Sequence, residues 1–166
     1  MTVDRTRIYR QKIQEWLDLR PAGGATPSWN RIGAGVSAGQ VAMNVETESI
    51  HDLDMDTGMD ITTSVKPTME LTFQETASDP VNKWLCDNAR NLVKDAPTTW
   101  LRIYTHIEEN PGEYLAYQIP ATVQVTEGMG GDANMPSSGM ATMRYAGNQV
   151  KGTVEFKNGI PVFTAE

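Results

Sequence analysis

The sequence predicts a mainly β fold: a β-sandwich or part-barrel of about eight strands, flanked by one α-helix and preceded by an N-terminal arm with helical periodicity. Three observations carry this prediction. Apolar and polar residues alternate with period two in segment after segment from Gln40 onward. Beyond the arm, only residues 78–97 have strong helical spacing. Turn signals separate successive strands, without the strand–helix alternation that builds a parallel sheet.

The N-terminal arm comes first. Ile8, Tyr9, Lys12, Ile13, Trp16 and Leu17 fall at spacings of one, three and four, so residues 4–19 read as a short amphipathic helix. Pro21, Gly23, Gly24 and Pro27 follow as a connector. This divides the chain into an arm and linker, residues 1–29, and a β-domain body, residues 30–166.

In the body, Val41, Met43, Val45 and Thr47 face one way while Ala42, Asn44, Glu46 and Glu48 face the other, as in one half-buried strand. The alternation returns at Met59, Ile61, Thr63 and Val65, and again at Met69, Leu71 and Phe73, with Lys66-Pro67 as the break between them. "SDPVNKWLCDNARNLVKDAP" reads as the helix. Ser78 or Asp79 is its N-cap, Pro80 lies in its first turn, Val81, Trp84, Leu85, Asn88, Ala89 and Leu92 form one stripe, and Pro97 stops it.

A hairpin follows, turning at "ENPGE". Leu115, Tyr117, Ile119, Ala121, Val123 and Val125 line one face of its return strand, which is about a dozen residues long. That exceeds the usual 5–6 or so, so the strand is expected to span two sheets or bend near Pro120. "TEGMGGDANMPSSG" reads as a long exposed loop. Strands at 140–146, 150–156 and 160–164 close the chain, the last two joined by the hairpin signal Asn158-Gly159.

Composition limits the function. The 166 residues suit one domain with one core, 39% apolar and 21% charged. A net charge of −7 and a pI near 4.8 disfavour stable nucleic-acid binding, which relies on Lys and Arg displacing counterions. The single cysteine, Cys86, cannot form an internal disulfide and fits assembly in a reducing cytoplasm. No apolar run reaches the roughly 20 residues of a membrane span, and the N-terminus lacks the apolar core of a secretory signal, so a soluble protein with no membrane contact is expected.

Gly33-Ala34-Gly35-Val36-Ser37-Ala38 fits the loose dinucleotide fingerprint G-x-G-x-x-A, but strand periodicity follows it where the motif needs a helix N-terminus to hold the pyrophosphate. Asp52, Asp54 and Asp56 alternate as in a calcium loop, yet Gly58 comes one place late and Thr63 stands where a bidentate Glu is required. His51 and His106 sit in no zinc-ligand pattern, and no serine occupies a nucleophile elbow. No catalytic set and no cofactor are therefore expected.

The order of parts resembles the major tail (tail tube) proteins of long, non-contractile-tailed bacteriophages. The resemblance runs over residues 30–156. It rests on "NRIGAGVSAG", on "NVETESIHDLDMDTGMDI" leading into "KPTMELTFQETASDPVNKWLCDNARNL", and on the closing "MATMRYAGNQVKGTVEF". It implies a β-sandwich with one helix, six copies closing into a ring, and rings stacked into a hollow tube in the virion tail through which the genome leaves. Synthesis would occur in the host bacterial cytoplasm. The partners implied are the chain itself and the tape-measure, tail-tip and tail-terminator proteins. DNA would pass through the lumen without specific binding, helped by an acidic wall.

Contacts between subunits or rings are implied for the arm (Ile8, Tyr9, Trp16), the glycines after it (Gly33, Gly35), the loop at 46–60 (Glu46, Glu48, Asp52, Asp54, Asp56) and the loop at 127–139 (Met129, Met135). The leader, residues 1–20, has no counterpart in the resemblance. The sequence is open to two other readings. One is a small β-sandwich module binding glycan or calcium through exposed Trp29, Trp100 and Tyr104 or the Asp52–Asp56 stretch. The other is the tube protein of a contractile tail or bacteriocin.

Overall fold

The computed structural model describes residues 9–20, 24–33, 36–50, 59–75, 78–132, 134 and 137–166. The mainly β expectation holds, with one flanking helix. After a 3-10 turn at Arg10–Lys12, the chain forms β1 (Ile13–Asp18), β2 (Trp29–Arg31), β3 (Val36–Ala42), β4 (Val45–Ile50), β5 (Met59–Val65) and β6 (Thr68–Gln74). Helix α1 (Pro80–Arg90) follows. The chain then completes β7 (Ala96–Asn110), β8 (Glu113–Gly130), β9 (Ser138–Tyr145), β10 (Val150–Lys157) and β11 (Ile160–Ala165).

The main sheet is antiparallel in the order β2-β1-β7-β8-β9-β6-β3, and the β10–β11 hairpin attaches to β8. β4 and β5 form a separate two-stranded sheet. The long strand β8 changes neighbour midway along its length. Residues up to Gln118 pair with β10, and those from Ala121 pair with β9. Pro120, which has no N–H to donate, sits at the changeover, as its position in the sequence led us to expect. Its carbonyl accepts from Ala146 N at 2.8 Å.

Adjacent strand residues point to opposite faces, and in β1 and β7 each face meets a core. Leu17, Phe73, Leu85, Trp100, Val123 and Met143 belong to one core cluster, under α1. Leu101, Ile103, Ala116 and Val154 form a second cluster, with Trp16, Trp29 and Phe163 packed on it. The neighbours Trp16/Leu17 and Trp100/Leu101 split between the two clusters.

The helix expected over residues 4–19 differs from what is found. Its described part is a 3-10 turn followed by β1, which lies between β2 and β7 inside the sheet, with Trp16 opposite Leu101 and Leu17 opposite Trp100. The sheet thus begins well before residue 30, where the body was expected to begin. A strand covered on both faces loses its period-two signature. Glu15 and Asp18, which lie off the apolar stripe of the expected helix, are only 3% and 4% exposed.

The single strand expected around 40–48 is two strands, β3 and β4, divided at Met43–Asn44, where Asn44 adopts φ +44°. Asparagine tolerates this left-handed conformation, and the alternation runs on across the turn, hiding it. α1 is capped by Asp79, whose carboxylate accepts from Asn82 N at 2.8 Å, with Pro80 in the first turn. It ends at Arg90, well short of Pro97, which lies in β7.

Candidate assembly surfaces

The β4–β5 hairpin stands apart from the main sheet. Its base is tied by Asn44 Nδ2, which donates to Lys66 O (3.0 Å) and Thr68 Oγ1 (2.9 Å), and by Lys66 N, which donates to Met43 O (3.2 Å). Within it, Glu46 accepts from Lys66 Nζ at 2.6 Å and from Ser64 Oγ at 2.5 Å. These two donors hold the Glu46 carboxyl below the usual carboxylate range. Glu48 pairs across from Ile61, and Ser49 donates to Asp60.

Met43, Val45, Met59 and Val65 are about half exposed. An isolated two-stranded hairpin is marginal in water, so such a surface is more stable when covered. The segment is also the acidic pole of the sequence. Residues 45–65 hold Glu46, Glu48, Asp52, Asp54, Asp56 and Asp60 and no Lys or Arg, which accounts for most of the net −7.

The body has three strands, β2, β3 and β11, with a strand neighbour on one side only among the described residues. Unpaired edges are liabilities in a monomer and templates for another chain. β3 carries a register shift between Ala38 and Val41 where it meets β6.

β1 is fixed by buried polar groups that sequence reasoning missed. Trp100 Nε1 donates to Glu15 Oε2 at 2.6 Å, while Arg10 and Arg102 reach Glu15 Oε1 at 3.0 and 3.2 Å. Burial raises the Glu15 pKa above its ordinary value, outweighing the opposing pull of Arg102. Arg102 also lies over the Trp100 and Tyr104 rings, 5.5 and 5.8 Å from their centroids. Asp18 Oδ1 accepts from Ser28 N at 2.8 Å, and its other oxygen meets Arg20 Nε at 2.6 Å, tying the β1–β2 connection to the sheet.

The sequence-predicted contact residues divide into three groups. Tyr9 is 67% exposed beside the 3-10 turn, Glu46 and Glu48 lie on the free hairpin, and Gly33 has open space around it. Trp16 is instead half-buried within the body, packed against Phe156 with ring centroids 6.2 Å apart. Ile8, Gly35, Asp52, Asp54, Asp56 and Met135, and the side chain of Met129, lie outside the described residues.

The binding-module reading needed exposed aromatic rings, and Trp100 is fully buried. Trp29 and Tyr104 are half-buried, Trp29 against the second core and Tyr104 against Tyr117. The G-x-G-x-x-A stretch leads into β3, not into a helix. No described helix is long and apolar enough to cross a membrane.

The curled sheet with one flanking helix is the fold of tail-tube subunits. A subunit in the tail of an empty gene transfer agent particle of C6 symmetry superposes with a TM-score of 0.59 at 15% identity, covering 86% of this chain and 97% of that one. A chain of the native gene transfer agent virion gives 0.56 at 14% identity, covering 96% and 100%. The SPP1 tail tube subunit gives 0.56 at 16% identity, covering 87% and 78%. At such identities the likeness is one of fold. No protein-family model matches the chain, and no curated protein matches it in sequence.

Proposed function

We propose that this chain is a structural, non-enzymatic subunit of a phage-type tail tube, closing in six copies into rings that stack into a hollow conduit for DNA. The observation that carries the reading is the tail-tube fold over nearly the whole chain, including a subunit from a tail of C6 symmetry. The free edges of β2, β3 and β11 and the separate β4–β5 hairpin supply the unsatisfied surface that such assembly needs. Head-to-tail contacts that close give rings, and stacked rings give a filament.

In this reading Tyr9, Gly33, Glu46 and Glu48, with Ile8, Gly35, Asp52, Asp54, Asp56, Met129 and Met135, contact neighbouring subunits or rings. Trp16 supports the arm from within the body. The partners are further copies, the tape-measure protein, and the tail-tip and terminator proteins. DNA passes without specific binding because the chain's net negative charge repels it. The subunit is made in the host bacterial cytoplasm and resides in the virion tail. Negative-stain microscopy of the concentrated protein should reveal rings or tubes. Persistent monomers, even beside a tail-tip initiator, would count against the proposal.

A further inference from the structure

α1 ends in a Schellman arrangement: Val93 N donates to Asn88 O at 3.0 Å and Leu92 N to Ala89 O at 3.2 Å. The residue at the second of these donors must be left-handed, and glycine or asparagine ordinarily fills it. Here it is Leu92, at φ +53°. Every other described residue of positive φ is Asn or Gly: Asn44, Asn158, Gly112, Gly131 and Gly159. Leu92 is also 85% exposed. A branched apolar side chain is disfavoured there both by backbone sterics and by contact with water.

Beside Leu92 runs a groove of about 240 Å³, lined by Asn88, Val93, Lys94 and Val125 among others. Asn88 Nδ2 is a buried donor with no hydrogen-bond partner among the described residues. Lys94 forms no ion pair among them. The groove therefore offers apolar contact and a positive charge. Its complement is a surface that is apolar and negative, and the β4–β5 hairpin has that composition: Val45 and Met59 exposed, Glu48 on the same hairpin, and no cation within residues 45–65.

We propose that the helix-exit groove receives the β4–β5 hairpin of a second copy, with Leu92 as the apolar anchor and Lys94 facing Glu48. The contact is heterologous, groove to hairpin, so it repeats from copy to copy. It rests on the reading of the chain as a tube subunit and deepens it.

The test uses the full chain and three variants: Leu92→Gly, Lys94→Glu, and Lys94→Glu combined with Glu48→Lys. Melting is read below the assembly concentration, and the critical concentration by sedimentation and negative stain. Leu92→Gly is expected to melt at the wild-type temperature or above, because glycine suits the left-handed position, while its critical concentration rises several-fold. Lys94→Glu should raise the critical concentration as well, and adding Glu48→Lys should bring it back toward wild type.

Wild-type assembly by Leu92→Gly, or a lower melting temperature for it, would overturn the anchor. Failure of the double charge reversal to recover assembly would overturn the hairpin as occupant. In both cases tubes of the wild-type chain would leave the tube reading standing. A wild-type chain that never assembles would overturn the tube reading and this inference together.

Discussion

Gly152 on β10 permits a calculation from the geometry. It lies opposite Ala165 on β11, and a Cβ built on it would stand 2.2 Å from Thr164 O and 2.7 Å from Phe163 Cζ. Real Cβ atoms essentially never come within 3.0 Å of such neighbours, so Gly152→Ala must open the gap by at least 0.8 Å. The Phe163 ring can swing aside, but Thr164 O is backbone. Widening the strand pair by that much takes an N–H···O distance of about 2.9 Å beyond hydrogen-bonding range.

One or two ladder bonds beside the Gly152–Ala165 and Thr153–Thr164 pairs are then lost, at about 1 kcal/mol each. Displacing Phe163 from the second core adds about 1–2 kcal/mol of overpacking. Against this stands about 0.5–1 kcal/mol gained by restricting the unfolded chain. The net expectation is a loss of about 1–3.5 kcal/mol, which moves a urea midpoint down by about 0.5–1.7 M at a typical slope of ~2 kcal/mol/M. Gly33→Ala is the control, since nothing lies within 4 Å of its Cβ, and its midpoint should stay level or rise slightly. Equal midpoints for the two variants, measured by circular dichroism below the assembly concentration, would refute the reasoning.

Trp100→Phe keeps most of the buried ring and removes the N–H that Glu15 Oε2 accepts. We expect a loss of about 2 kcal/mol by the same denaturation assay, typical of a hydrogen bond to a charged group. Because burial raises the Glu15 pKa in the folded chain, the folded state binds that proton more tightly than the unfolded state does. This residue's contribution is therefore full below its ordinary pKa of 4.5 and is lost as pH rises through the higher folded value. Carboxyl carbon NMR should place the Glu15 midpoint above 4.5, and a midpoint below it would contradict the assignment. Gly33→Val should leave the melting temperature close to wild type, because the space is open. If the stretch hinges an assembling arm, the same substitution, tested together with Gly35→Val, reduces tube yield in negative stain; unchanged tubes would exclude that role.

The sequence made most strands legible because they present one face to a core and the other to water. Met69, Leu71 and Phe73 alternate with Glu70, Thr72 and Gln74, and β6 is found there. The Asp79-Pro80 start of α1 and the Asn158-Gly159 turn were legible for local reasons, a cap and a left-handed pair. β1 was not. Two of the contacts that hold it come from 80 or more residues away, and no local pattern reports that the Glu15 carboxylate will meet Trp100 or that Thr98 Oγ1 will meet Asp18 O.

Among the candidate surfaces, Glu46 and Glu48 were named by the resemblance alone, and they lie on the separate β4–β5 hairpin. The helix exit did not stand out, because Leu92 continued the apolar stripe of α1 and only the backbone angle separates it from the core. The aromatic residues misled in the other direction. Trp100 looked exposed only while β7 was thought to have one wet face, and β7 is buried by a different core on each side.

The partner change along β8 has a mechanical consequence. β7 and β8 run past both cores, and β8 bonds to β9 over one half and β10 over the other. Neither core can then come apart without exposing one side of strands that the other core still grips. Two hydrophobic clusters should therefore melt in a single transition, and amide exchange should slow to the same global limit on both sides of Pro120. Under tension the two-core body would yield as a whole or not at all, with neither core left to unravel first.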